Sequence, residues 1–185
     1  LRYCSGNGTA RIEIPQSHKS LTAIGHSSQD CLPYTVEEAL AVADLWDGQA
    51  LVEEQATLNA FRRFAPQSQV IHLAAHGDFR PDNPLFSGLA LADGWLTTLD
   101  VFNLRLKASL VTLSACQTGR SVVGGGDELL GLMRSFLAAG AATLVATLWA
   151  VEDRSTALLM HNFYKNLAGG ETKGAALRKA QLELL

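Results

Sequence analysis

Two side chains in this 185-residue sequence have the chemistry of a nucleophile and its base. Cys116 closes the apolar run Leu110-Val111-Thr112-Leu113-Ser114-Ala115, and polar Gln117-Thr118-Gly119 follows at once. A strand-to-loop step of this kind presents a thiol at a sheet edge, although free cysteine is among the most buried residue types and most strand cysteines only pack. His76 stands in the same relation to the run Val70 to Ala74 and is followed by Gly77, which breaks that run. A single histidine is by default a hydrogen-bonded core or loop residue; the pairing with a cysteine at a second strand end changes the reading. If the two strands are neighbours in a parallel sheet, about 4.8 Å apart, the side chains can meet. The imidazole then takes the thiol proton and later protonates a leaving group. Gly77 lets a backbone N–H approach a substrate closely, so the Gly77 and Cys116 amides are candidate oxyanion donors. His72 alternates onto the same face as Ala74 and His76.

The elements that must position these residues repeat as strand and helix. Leu21 to Gly25 is a short strand. Thr35 to Trp46 is a helix, with Thr35 and Glu38 spaced as a capping box. Gln49 to Glu53 is a strand, and a helix from about Ala56 to Phe64 is closed by Pro66. Gly88 to Ala92 and Trp95 to Thr97 flank Asp93-Gly94, a tight hairpin turn. Gly124 to Gly126 lead into a helix from Asp127 to about Ala139, and Thr143 to Trp149 is the next buried strand. Amphipathic helices over Asp153–Ala168 and Lys173–Leu184 finish the chain. Near-continuous apolar strands alternating with helices imply an α/β domain whose mostly parallel sheet is covered on both faces. Ligands of such sheets sit beyond the carboxyl ends of the strands, where His76 and Cys116 fall.

Composition excludes several classes. Hydrophobic residues make up 48% and charged residues 18%, a core-rich balance that rules out disorder. The formal net charge of −3 gives no overall basic field for nucleic acid or an anionic membrane. No apolar run approaches the roughly 18 residues of a membrane span. Three cysteines without a C-x-x-C pair argue against a zinc knuckle or a complete disulfide framework, and so for a reducing, cytoplasmic setting. One His and one Cys lack the further ligands a metal site needs, so neither metal nor cofactor is expected. Gly25-His26-Ser27-Ser28 stands where a dinucleotide binder would carry G-x-G-x-x-G. The chain starts at Leu1 and stops within an amphipathic pattern, so it reads as a piece of a longer polypeptide, with residues 1–20 a polar lead-in and 21–185 the domain.

The segments HLAAHGDF, PDNPLFSGLALADG and LSACQTG, followed by GGGDELLGLMRSFLAAGAATLVATLWAVED and ALRKAQLELL, resemble the CHAT domain from about Leu21 to Leu185. That is a caspase-like cysteine peptidase domain, of the clan of caspases and separases, usually attached to tetratricopeptide repeats. The resemblance implies a caspase-like three-layer α/β/α sandwich and a Cys–His dyad of Cys116 and His76. Its substrate would be a peptide or protein, and a repeat region in the full-length chain or a partner would regulate it. Leu148-Trp149-Ala150-Val151-Glu152-Asp153 is similar to the Leu-Trp-x-Val-x-Asp segment of separase-like enzymes, whose last Asp pairs with a P1 arginine. Asp153 is the matching position, and its carboxylate would favour a basic P1 residue. Trp149 would wall that pocket, with Glu152 and Asp127 as lesser candidates. Asp153 is equally suited to capping the helix that follows it. The competing reading of the whole is a catalytically silent scaffold that kept the fold and both dyad residues.

Overall fold

Predominantly apolar runs, buried on both faces, form the middle of the sheet. The structure is a computed structural model that describes residues 2–5, 20–28, 32–78, 80, 82–116, 127–147 and 153–185, with the side chains at 2–5, 115, 116 and 127–130 outside that description. Among the described residues eight strands join one sheet. Six follow the order β1 (Arg2–Ser5), β8 (Thr143–Ala146), β7 (Leu110–Cys116), β4 (Val70–Asp78), β2 (Leu21–His26), β3 (Gln49–Val52). The pairs β8–β7, β7–β4, β4–β2 and β2–β3 are parallel. The pair β1–β8 is antiparallel, and the hairpin of β5 (Gly88–Leu91) and β6 (Gly94–Thr97) joins the end of β4 antiparallel. The fold is therefore α/β with a mixed sheet.

Strand alternation divides the core in two. Ile71, Leu73, Val111 and Leu113 face one cluster, which takes in Phe61 of α2 (Leu58–Phe64), Val101 of α3 (Thr98–Phe102), Leu132 and Phe136 of α4 (Asp127–Ala138), and Leu96. Val70, Leu110 and Val145 face the other, with Val42 of α1 (Tyr34–Leu45), Phe163 of α5 (Asp153–Ala168) and Leu177 of α6 (Lys173–Leu182). The hairpin turn forms where Asp93-Gly94 predicts it, and Asp93 Oδ1 also accepts the Leu58 N–H at 2.7 Å, capping α2.

Several expectations are corrected. β4 does not break at His76-Gly77 but runs on to Asp78, because Gly77 and Asp78 find new register partners in Leu89 and Gly88. β8 runs over Thr143–Ala146 and stops short of Thr147, and positions 148 and 149 of the expected strand lie outside the described residues. The lead-in contributes β1, which its polar sequence does not announce. Thr35 and Glu38 form no capping box, since α1 already begins at Tyr34. Thr35 Oγ1 instead donates to the Leu32 carbonyl at 2.7 Å. Glu38 turns inward and is 2% exposed. Gly25 is what lets α1 lie so close to β2: a Cβ there would sit 2.7 Å from the Thr35 carbonyl oxygen.

At the amino ends of β7 and β8, the opposite end of the parallel strands from His76, Lys173 is buried with its Nζ donating to the Ser109 carbonyl at 2.8 Å and to Thr143 Oγ1 at 3.2 Å. Burial among neutral partners holds its pKa below the ordinary 10.5 of a lysine. A lysine whose folded value is depressed binds fewer protons in the native chain, so stability rises with pH between the folded value and 10.5. Lys173→Met should flatten that rise, as read by urea unfolding in steps from pH 7 upward. An unchanged slope in the variant would mean that Lys173 is solvated.

Candidate active site

His76 reaches the site because β4 is flanked by apolar strands on both sides and continues two residues beyond it. The parallel register of β4 with β7 runs in step from Val70↔Leu110 to His76↔Cys116. The two candidate dyad residues are therefore backbone partners on adjacent strands, and register partners in a parallel sheet share a face. Cys116 is the last residue of β7. Gly77 is buried in β4 and register-partnered with Leu89 of the hairpin.

Sequence reasoning missed a contact of the imidazole with the hairpin. The rings of His76 and Trp95 stand edge-to-face, with centroids 6.0 Å apart and planes at 66°. His76 is half-buried, and Trp95 is 42% exposed. An Asp-Gly hairpin signal foretold the turn that carries Trp95, but nothing in the sequence says where that hairpin docks.

Asp153 is the first residue of α5 and lies within the helix, so it does not cap its own helix from outside. Its Oδ2 accepts the backbone N–H of Tyr34 at 2.9 Å and so serves the N-terminus of α1, whose N-cap residue Pro33 supplies no side-chain bond. Burial raises the Asp153 pKa first; the Tyr34 N–H opposes this, and the negative charges of Glu38 and Glu37 raise it further. Trp149 and Glu152 lie outside the described residues, and Asp127 is described only as the backbone start of α4.

Beneath this edge lies a buried polar cluster. His72 Nε2 is 3.0 Å from Glu38 Oε1, with side chains 0% and 1% exposed. Neither group has a well-aligned hydrogen bond to any described partner. The Tyr164 ring meets His72 edge-to-face at 5.4 Å, and its hydroxyl donates to Thr112 Oγ1 at 2.9 Å. Burial pushes the Tyr164 hydroxyl pKa upward, which keeps it a donor. His72 thus shares a strand face with His76, as alternation predicts, but holds α1 against β4.

The model of the CHAT domain family matches residues 5–185, nearly the whole chain. This chain is a CHAT domain. CHAT domains are a caspase-like, peptidase-related family. The domain is also similar to "Tetratricopeptide repeat protein 28" of Mus musculus, at 27% identity over 187 aligned residues that cover 80% of this chain and 8% of the relative. The Homo sapiens protein of the same name is 28% identical, with the same shares. This CHAT domain therefore spans less than a tenth of the length of the curated relatives it matches. Both relatives are named for tetratricopeptide repeats, the association the sequence resemblance implies. Among the described residues no group of three or more His, Cys, Asp or Glu could hold a metal ion, and no helix is long and apolar enough to cross a membrane.

Proposed function

We propose that this CHAT domain is a cysteine endopeptidase that uses Cys116 as nucleophile and His76 as general base and then acid. The observation that carries this reading is the register match of His76 with Cys116 across β4 and β7. Imidazole takes the proton from the Cys116 thiol, and the thiolate attacks the scissile carbonyl. The oxyanion that forms is held by the backbone amides of Gly77 and Cys116. The imidazolium then protonates the leaving amine, and water hydrolyses the thioester with His76 again as base. Asp153 selects an Arg or Lys side chain at P1, with Trp149 walling the pocket and Glu152 and Asp127 adding negative charge. The raised pKa of Asp153 supports that role, since a carboxyl short of compensating positive charge gains most from a guanidinium. On this reading the α/β fold is a caspase-like sandwich, with the reacting residues at the carboxyl ends of its parallel strands. A tetratricopeptide-repeat region, in the same polypeptide or in a partner, presents substrate or controls access.

Acyloxymethyl-ketone peptides ending in Arg and in Asp test the reading together. The Arg probe is expected to modify Cys116 selectively, and His76→Ala to abolish that modification. Labelling by the Asp probe instead would keep the peptidase and remove Asp153 as its specificity residue. A folded chain labelled by neither, alone or with its repeat region, would be a scaffold.

A further inference from the structure

We infer that Trp95 is a positioning residue for the His76 imidazole, holding the ring in the orientation from which it can exchange a proton with Cys116. The inference rests on the dyad reading for its catalytic consequence, but the ring geometry stands apart from it. On β6, Leu96 is fully buried in the core while Trp95 is 42% exposed, so core packing does not account for a tryptophan there. Alternation sends the two side chains to opposite faces of the hairpin, and the face that Trp95 takes is the one that meets His76. A centroid separation of 6.0 Å at 66° lies in the favoured edge-to-face range for aromatic pairs.

The hairpin that brings Trp95 is fixed at the residue following His76. Gly77 pairs with Leu89, Asp78 with Gly88, and Ala90 with Trp95. Gly88 must be glycine, because a Cβ would stand 2.4 Å from the Leu96 carbonyl oxygen. Ser87 anchors the same end: its carbonyl accepts the Thr98 N–H at 2.8 Å, and its Oγ accepts the Arg80 N–H at 2.8 Å. Backbone pairing therefore sets the point on the hairpin from which the indole reaches His76. A base that must first take and then give a proton needs one ring orientation, and a general base is commonly held by a third group. Here an aromatic edge performs that task.

The test uses this chain with isotope-labelled histidine and the variants Trp95→Ala and Trp95→Phe, the His76 lines being assigned by their loss in His76→Gln. Trp95→Ala is expected to shift and broaden the His76 ring resonances, and Trp95→Phe to restore a single narrow set. With an Arg-ended peptide substrate, kcat should fall about tenfold in the alanine variant with KM within about twofold, and the phenylalanine variant should recover most of the loss. Unmoved ring resonances, or a change in KM with kcat intact, would overturn the inference. If the resonances respond as expected but the wild-type chain cleaves no peptide, the positioning role stands and the peptidase reading falls.

Discussion

Glu38→Ala is expected to destabilise this domain by about 3–5 kcal/mol, a large share of the ~5–15 kcal/mol that holds a typical domain folded. Glu38 and His72 are fully buried and 3.0 Å apart, and neither is compensated by a well-aligned hydrogen bond. Removing one partner leaves the other in an apolar interior between α1, β4 and Tyr164. Removing both is a different matter, because a buried pair is often no better than well-packed hydrophobic residues of similar volume. Glu38→Leu combined with His72→Phe should therefore recover most of the loss. Urea unfolding of the two singles and the double gives the coupling directly. Additive losses would mean that the two residues act independently and that the 3.0 Å approach is incidental.

The second large effect separates the observed contact of the Asp153 carboxylate with α1 from the substrate-selecting role proposed for it. Asp153→Asn keeps an oxygen to accept the Tyr34 N–H but removes the charge. The fold should be retained, while modification or cleavage at Arg should fall about a hundredfold or more. Asp153→Ala loses the acceptor as well, so it should lose the same activity and also about 1 kcal/mol of stability. The pH dependence follows from the raised pKa. A carboxyl whose folded value lies above its ordinary 3.8 contributes stability below that value, and the contribution is lost as pH rises through the folded one. The asparagine variant should lack that loss, whereas preference for Arg in the wild type should grow over the same pH interval as the carboxylate forms. Equal Arg labelling of wild type and Asp153→Asn would remove Asp153 from substrate selection and leave it as the cap of α1.

Much of this architecture is legible in the sequence for a simple reason. Strands buried on both faces, such as Val70 onward and Leu110 onward, must be continuous in apolar residues, and the turn chemistry of Asp93-Gly94 is local. The dyad candidates are readable because each follows an apolar run, and the structure adds that β4 and β7 are neighbours in a register that pairs them. What sequence spacing could not show is which distant residue answers each polar group. Thr35 and Glu38 have the spacing of a capping box, but a helix beginning at Tyr34 puts Thr35 inside it and aims Glu38 at His72. The cap of α1 comes instead from Asp153, 119 residues away. β1 escapes notice because an edge strand needs no continuous apolar run. Trp95 escapes because its partner is decided by where a hairpin docks.

The register that pairs His76 with Cys116 also has a kinetic meaning. These two residues are 40 positions apart, and β4 is joined on its other side to β2 by pairings such as Leu21↔Val70, 49 positions apart. Parallel pairings of this span close long loops before they gain contact energy, which makes such sheets slow to form. On the proposed reading, a nascent or half-folded chain keeps its thiol away from its base until both closures are complete. Proteolytic competence would then arrive as late as the fold itself, which protects the cell's other unfolded chains from a partly made enzyme.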